Sequence, residues 1–309
     1  MRMPRILSWL TPRGAGIAFI ALFLLQITYL LFPYRQEPLH SSSGDRRSTS
    51  QQLADLRQAY NPHNVNASVS LVLASIHTDD LTWLLKHCKE STEKSAEQGL
   101  LVPPTRRGRE VPAYLSYIVD FYDRLPDYSI FIHASPEQWH NDLFGPKTRD
   151  TLKHLRLEPI DVYGYVNLRC KHDPGCPTAV FPLSPSQIDI DAHDIRAYFS
   201  EAYQQILGVP AEQVPEAIGN VCCGQFAVSR ERILARPKED YERILNWAAT
   251  TKLTDDFGVG WVLEKLWHIV FGMDAVYCPR YEQCRCDTYG WCGPLQSGEM
   301  LQPVMRSDV

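Results

Sequence analysis

Several motifs that would assign this chain to a common enzyme class are missing. It has no Gly-x-Ser-x-Gly elbow and no His-Glu-x-x-His pair, so hydrolase readings lack a nucleophile or a zinc ligand set. No Cys-x-x-Cys occurs either, which argues against structural zinc and a thioredoxin-type redox centre. Basic charge is in deficit, with 31 Lys and Arg against 36 Asp and Glu. Four of those basic residues, Arg2, Arg5, Arg13 and Arg35, precede the first acidic residue, Glu37, leaving 27 against 36 from Glu37 onward. Phosphate binding needs a basic footprint, so the balance argues against nucleic acid as a partner. There is no internal repeat and only one Asn-x-Ser/Thr sequon, at Asn66, where glycosylation is expected.

Charge is absent altogether from Gly14 to Phe32, GAGIAFIALFLLQITYLLF. At about 1.5 Å per residue this run is long enough for a hydrocarbon core of roughly 30 Å. It ends in Phe32-Pro33-Tyr34-Arg35 with no Ala-x-Ala pattern, so an uncleaved anchor is favoured over a cleaved signal peptide. The arginines before it keep residues 1–13 cytosolic and send the rest across, a type II arrangement. Residues 33–67 are polar and rich in Ser and Gln, a stem. Residues 68–292 form the lumenal domain, and 293–309 a flexible tail.

Within 68–292 the apolar period alternates. SVSLVLASI, YSIFIHAS, YGYVNLRC and CCGQFAVS read as buried strands. Helical patterns cover Glu110 to Leu125, where Pro126 stops the run, then Asp240–Thr250 and Val259–Phe271. This predicts an α/β fold, a mostly parallel sheet sandwiched by helices, with ligands beyond the carboxyl ends of the strands.

Nine cysteines in an oxidising lumen are expected mostly to pair, with Cys88 the one left over. Successive strand residues point to opposite faces, so Cys222 and Cys223 are expected to make two separate bridges, with Cys278, Cys284, Cys286 and Cys292 as partners. Cys170 and Cys176 could close a small loop of their own.

Four further clusters bear on function. His77-Thr78-Asp79-Asp80 leaves the first strand, where a carboxylate could accept from a nucleobase or ribose or could serve only the helix that follows. His133 ends the second strand with Trp139 and His140 close in sequence. Asp189-Ile190-Asp191 is the sole Asp-x-Asp, suited to a hard divalent ion or to plain capping. In WVLEKLWHIVF, Glu264 and His268 stand at i and i+4, which places them on one helix face flanked by Trp261 and Trp267. A carboxylate against aromatic surface can rise in pKa and act as a base.

Across LVLASIHTDDLTWL, GREVPAYLSYIVDFYDRLPDYSIFIHAS, YVNLRC, VCCGQFAVSRERI, GVGWVLEKLWHIVFG and CRCDTYGWC, the chain resembles a mostly fungal family known as domain of unknown function 3431. More loosely, the resemblance implies a GT-A type glycosyltransferase fold. Anchor, stem and lumenal domain would then give a Golgi enzyme transferring a sugar from a nucleotide donor to a hydroxyl acceptor. On that reading Asp79, Asp80 and His133 bind the nucleotide, and Gln225, Trp261 and Trp267 line the acceptor side. Glu264 with His268 does the chemistry, and Asp189 and Asp191 hold Mn or Mg. The alternatives are a non-catalytic anchored scaffold or another lumenal modifying enzyme.

Overall fold

The computed structural model describes residues 68–76, 79–84 and 102–305. The expected cytosolic tail, anchor, stem, Asn66 and Cys88 lie outside these residues. Among the described residues no helix is long and apolar enough to cross a membrane.

β1 (Val69–Ala74) is rich in β-branched and aliphatic residues and, at the edge of the sheet, buries only Val69 and Val72 fully. α1 (Val111–Phe121) carries Pro112 in its first turn, where the missing N–H costs nothing, and buries Val111, Tyr114, Leu115 and Ile118. β2 (Tyr128–His133) is covered on both faces. Two short helices, α2 (Thr148–His154) and α3 (Glu158–Tyr163), lead to β3 (Tyr165–Asn167). A long excursion follows through α4 (Gln187–Asp191), α5 (Phe199–Leu207) and β4 (Gly219–Asn220). The chain then enters β5 (Phe226–Ser229), all four residues of which are buried. Ser229 caps α6 (Arg230–Leu234), its hydroxyl accepting from the Arg232 N–H. Then come α7 (Lys238–Thr250), α8 (Asp256–Glu264), α9 (Trp267–Val270), β6 (Val276–Tyr277) and α10 (Tyr281–Tyr289).

The main sheet has the order β1-β2-β5-β3. Only β1 and β2 run parallel; β5 is antiparallel to both β2 and β3. The expected mostly parallel sheet is therefore corrected to a mixed one. Alternation of strands and helices tells which segments are buried, whereas direction depends on the edge at which the chain re-enters. β3 ends with Asn167 opposite Phe226, the first residue of β5. The excursion thus leaves and returns at one edge, which forces β5 to run backwards. β4 and β6 form a separate parallel pair.

Period-two alternation sends Phe131, Phe226, Val228 and Tyr165 into a core shared with α1, α7, α8 and α9. Ile130, Ile132, Ala227 and Val166 go to the opposite face, against Ile160 of α3. The first core is aromatic: Tyr114 meets Phe131 and Phe226 edge-on at 5.1 and 5.8 Å, and Trp267 stacks on Phe271 at 6.2 Å. Each such ring contributes about 1.5–3 kcal/mol through burial alone.

Four disulfides replace the expected pairing. Cys170 joins Cys284 and Cys176 joins Cys278, tying the segment after β3 to the region of α10, so Cys170 and Cys176 do not bridge each other. Cys286 joins Cys292. Cys222 bonds to its neighbour Cys223 rather than to two distant partners. The expectation of opposite-facing side chains fails because the two cysteines lie in the turn before β5, not in the strand, and Cys223 has a φ of 92°. The C-terminal residues also return to α10: Asp287 accepts from the Val304 N–H at 2.7 Å, and Arg156 donates to the Val304 carbonyl at 3.2 Å.

Candidate active site

One edge of the main sheet gathers the ends of all four strands. Ala74 closes β1, His133 closes β2, Asn167 closes β3, and Phe226 opens β5 there. α1 starts at the same edge, bringing Glu110 Oε2 to 4.0 Å from His133 Nε2.

The segment before α1 holds Glu110 in place. Arg107 donates to the carbonyls of Ala249, Thr251 and Thr254, and the Gly108 N–H donates to Asp256 Oδ1 at 2.8 Å. Arg109 lies with its guanidinium 4.6 Å from the centre of the Phe257 ring. Glu110 occupies the N-cap position, yet its side chain makes no capping bond. The carboxylate instead faces Gly224, where an added Cβ would sit 3.1 Å from Glu110 Oε1 and 3.9 Å from Trp267 Nε1. With a φ of +61°, Gly224 supplies both the left-handed turn and the room for this approach.

Only 13% of the Glu110 side chain is exposed. Burial pushes its carboxyl up from 4.5 to about 7. The carboxylates of Glu264 and Asp256 add to the rise, while its own backbone N–H and Arg109 act against it. His133 is held below its ordinary value by burial, with a side-chain bond to Gln138 and the charge of Glu264 opposing. Two buried nitrogens here, His133 Nε2 and Trp267 Nε1, have no hydrogen-bond partner. The edge thus combines a carboxyl that exchanges its proton near neutrality, a neutral imidazole and an indole N–H with nothing to bond.

The turn from Asn220 to Gln225 braces these groups. Asn167 Nδ2 donates to the Val221 carbonyl at 2.9 Å, and Asn220 Nδ2 donates to the Glu264 carbonyl at 3.2 Å. Gln225, expected to face an acceptor, is buried and fully engaged. Its Oε1 accepts from the His133 N–H at 3.1 Å, and its Nε2 donates to Asn141 Oδ1 at 3.0 Å and to His140 Nδ1 at 3.4 Å. The Cys222–Cys223 ring closes this turn. The turn bonds to Glu264 through Asn220 and to His133 through Gln225, and leaves room for Glu110 at Gly224.

The expected Glu264–His268 face does not form, because the helix breaks between the two residues. α8 ends at Glu264, and Lys265 and Leu266 bond back only three residues, to Val262 and Leu263, before α9 starts at Trp267. Glu264 stays with the cluster, coupled by charge to Glu110 and His133 and paired with Lys265 Nζ at 2.5 Å. His268 turns into the protein, fully buried, with Nε2 on the Ala275 carbonyl at 3.1 Å. Trp267 is 1% exposed, so its ring cannot stack on a ligand and only its N–H faces the site. Trp261 is half-buried, with the cations of Arg196 and Lys265 at 5.1 and 5.4 Å from its ring centre.

Asp79 and Asp80 follow β1, each bonded locally. Asp79 Oδ2 accepts from the Ile76 N–H at 2.8 Å, and Asp80 Oδ1 accepts from both the N–H and the hydroxyl of Thr82. Asp189 and Asp191 lie in α4. Asp189 accepts from the Ser186 hydroxyl at 2.6 Å and lies 3.7 Å from Arg196, while Asp191 accepts from Gln187 at 2.8 Å. Both carboxylates thus take part in local side-chain bonds. Among the described residues no group of three or more His, Cys, Asp or Glu is arranged to hold a metal.

The sequence alone does not single out Glu110, because an acid at a helix start reads as dipole compensation. The available signal was the Gly108-Arg109-Glu110 run before Pro112, a helix start without Ser, Thr, Asp or Asn as its cap.

No curated protein and no solved structure matches the chain. Residues 71–287 match the family model described as "Protein of unknown function (DUF3431)", and the chain belongs to that family.

Proposed function

We propose that this protein is a membrane-anchored, lumenal glycosyltransferase-like enzyme of the secretory pathway, working at the Glu110–His133–Glu264 cluster. The observation that carries this reading is Glu110, a buried carboxyl at the strand edge whose pKa near 7 suits proton exchange at neutral pH. In the proposed step an acceptor hydroxyl passes its proton to Glu110 while its oxygen bonds to the anomeric carbon of the donor sugar. The bond from that carbon to the nucleotide diphosphate breaks, and the diphosphate leaves with the electron pair. Arg109 and Lys265 are the cations next to the cluster that would offset its charge. Burial, with added repulsion from Glu264, keeps Glu110 protonatable, and Asp79 and Asp80 remain the nucleotide side of the proposal. Gly14 to Phe32 would be the anchor, and four disulfides fit an oxidising lumen.

A second reading, an anchored scaffold without turnover, is favoured by the local engagement of Asp79 and Asp80. Thermal melts of the full-length chain with UDP, GDP or CMP separate the two. A donor site predicts stabilisation by one nucleotide, about 2.7 kcal/mol at 100 times its Kd. The absence of any shift at millimolar nucleotide would favour the scaffold.

A further inference from the structure

Beside the strand-edge cluster lies a cavity of about 640 Å³ between β3, β6 and α10. Its volume is in the range of small-molecule sites, roughly 300–1,000 Å³. None of Glu110, His133 and Glu264 lines it. Much of its wall is apolar or aromatic, from Val162, Tyr165, Met273, Val276 and Tyr277.

The charges in this wall do not cancel. Arg169 and Arg232 both line the cavity, and their guanidinium groups bond to main-chain oxygens. Arg169 donates to the carbonyls of His140, Lys171 and Asp173, and Arg232 to that of Tyr163. Among the described residues neither has a carboxylate within 4.0 Å. Arg280 is matched by Glu282 at 3.0 Å. The one lining carboxylate, Asp287, already accepts from the Tyr163 hydroxyl, Gln283 and the Val304 N–H. Two cations against one occupied anion leave a single positive charge in a largely apolar wall.

We infer that this cavity is a binding site for a small amphiphilic monoanion, a flat apolar body bearing one carboxylate, with Arg232 as its counter-charge. Arg232 is the cation placed for the role: it is half-buried, and its guanidinium lies against Gly164 and Gly272, where added Cβ atoms would come within 2.4 and 3.3 Å of it. An aromatic carboxylate would lay its ring against the half-buried Tyr277 and meet the guanidinium with its carboxylate. This site is independent of the sugar-transfer reading and stands or falls by binding alone.

Titration calorimetry on the full-length chain tests it with naphthoate and its neutral counterpart naphthalenemethanol. The expected result is saturable naphthoate binding at least about tenfold tighter than that of the alcohol. Arg232→Met should remove this preference and Arg232→Lys should keep part of it, while Met273→Trp, which fills the cavity, should abolish binding of both. Equal affinity for the two probes, an unchanged preference in Arg232→Met, or no binding by the wild type would overturn the assignment. The wild-type comparison of the two probes stands even if a variant fails to fold.

Discussion

A glutamate at the start of a helix ordinarily points to water and to the exposed N–H groups of the first turn. Glu110 turns inward because Pro112 offers no N–H in that turn and because Gly224 leaves room for a carboxylate. The result is linked to stability, with a definite sign. Its folded pKa, about 7, lies above the ordinary 4.5, so below 4.5 both states are protonated and nothing is lost. As pH climbs from 4.5 to 7 the unfolded chain ionises first, and the native state loses on the order of 3 kcal/mol. His140 and His268, both lowered to about 4 by burial, work in the other direction. Their contribution is present above 6.5 and is lost as pH falls towards 4. Urea denaturation should therefore find Glu110→Gln more stable than wild type by on the order of 3 kcal/mol at pH 8, the gap closing by pH 4.5. A gap that does not depend on pH would assign the effect to packing instead.

At the scale of elements, most strands and helices were legible because burial leaves a period. YSIFIH and FAVS read as covered strands and are covered. Strand direction was not legible: nothing in VCCGQFAVS says that the chain returns to the edge it left. The helix over Val259–Phe271 was legible as an apolar helical pattern, but not its break. Lys265 and Leu266 carry no Pro or Gly, and the turn tightens in the tertiary setting, with Trp267 inserted into the aromatic core. That break decided the site, since it kept Glu264 at the edge and buried His268. His133 was legible as a candidate at the end of a strand and Glu264 as a candidate within a helical pattern, its place at a helix end coming only with the break. Glu110 was hidden by an equally good local explanation, and the vicinal disulfide by the assumption that both cysteines lay in the strand.

For the molecule as a whole, two long-range disulfides matter most. Cys170–Cys284 closes a separation of 114 residues, which in the chain-entropy account stabilises by about 4.7 kcal/mol. Once it exists, Cys176–Cys278 closes only a short additional loop, on the order of 15 residues, for about 3 kcal/mol. Removing either one with a Cys→Ser pair should lower the melting temperature by a similar amount, because the remaining bridge inherits the long loop. Removing both should cost clearly more than either alone, and calorimetric melts of the three variants would show whether it does. These bridges hold the cavity wall and the end of β3 together, so they support both the strand-edge cluster and the second site.

The proposed chemistry requires that Glu110 carry an exchangeable proton at neutral pH in a site built around it. Carbon NMR of glutamate labelled at the side-chain carboxyl, with the Glu110 signal assigned by its loss in Glu110→Gln, measures this directly. A titration midpoint at about 7 is the predicted result. A midpoint near the ordinary value of 4.5 would contradict it, and with it the role of Glu110 as the acid–base group.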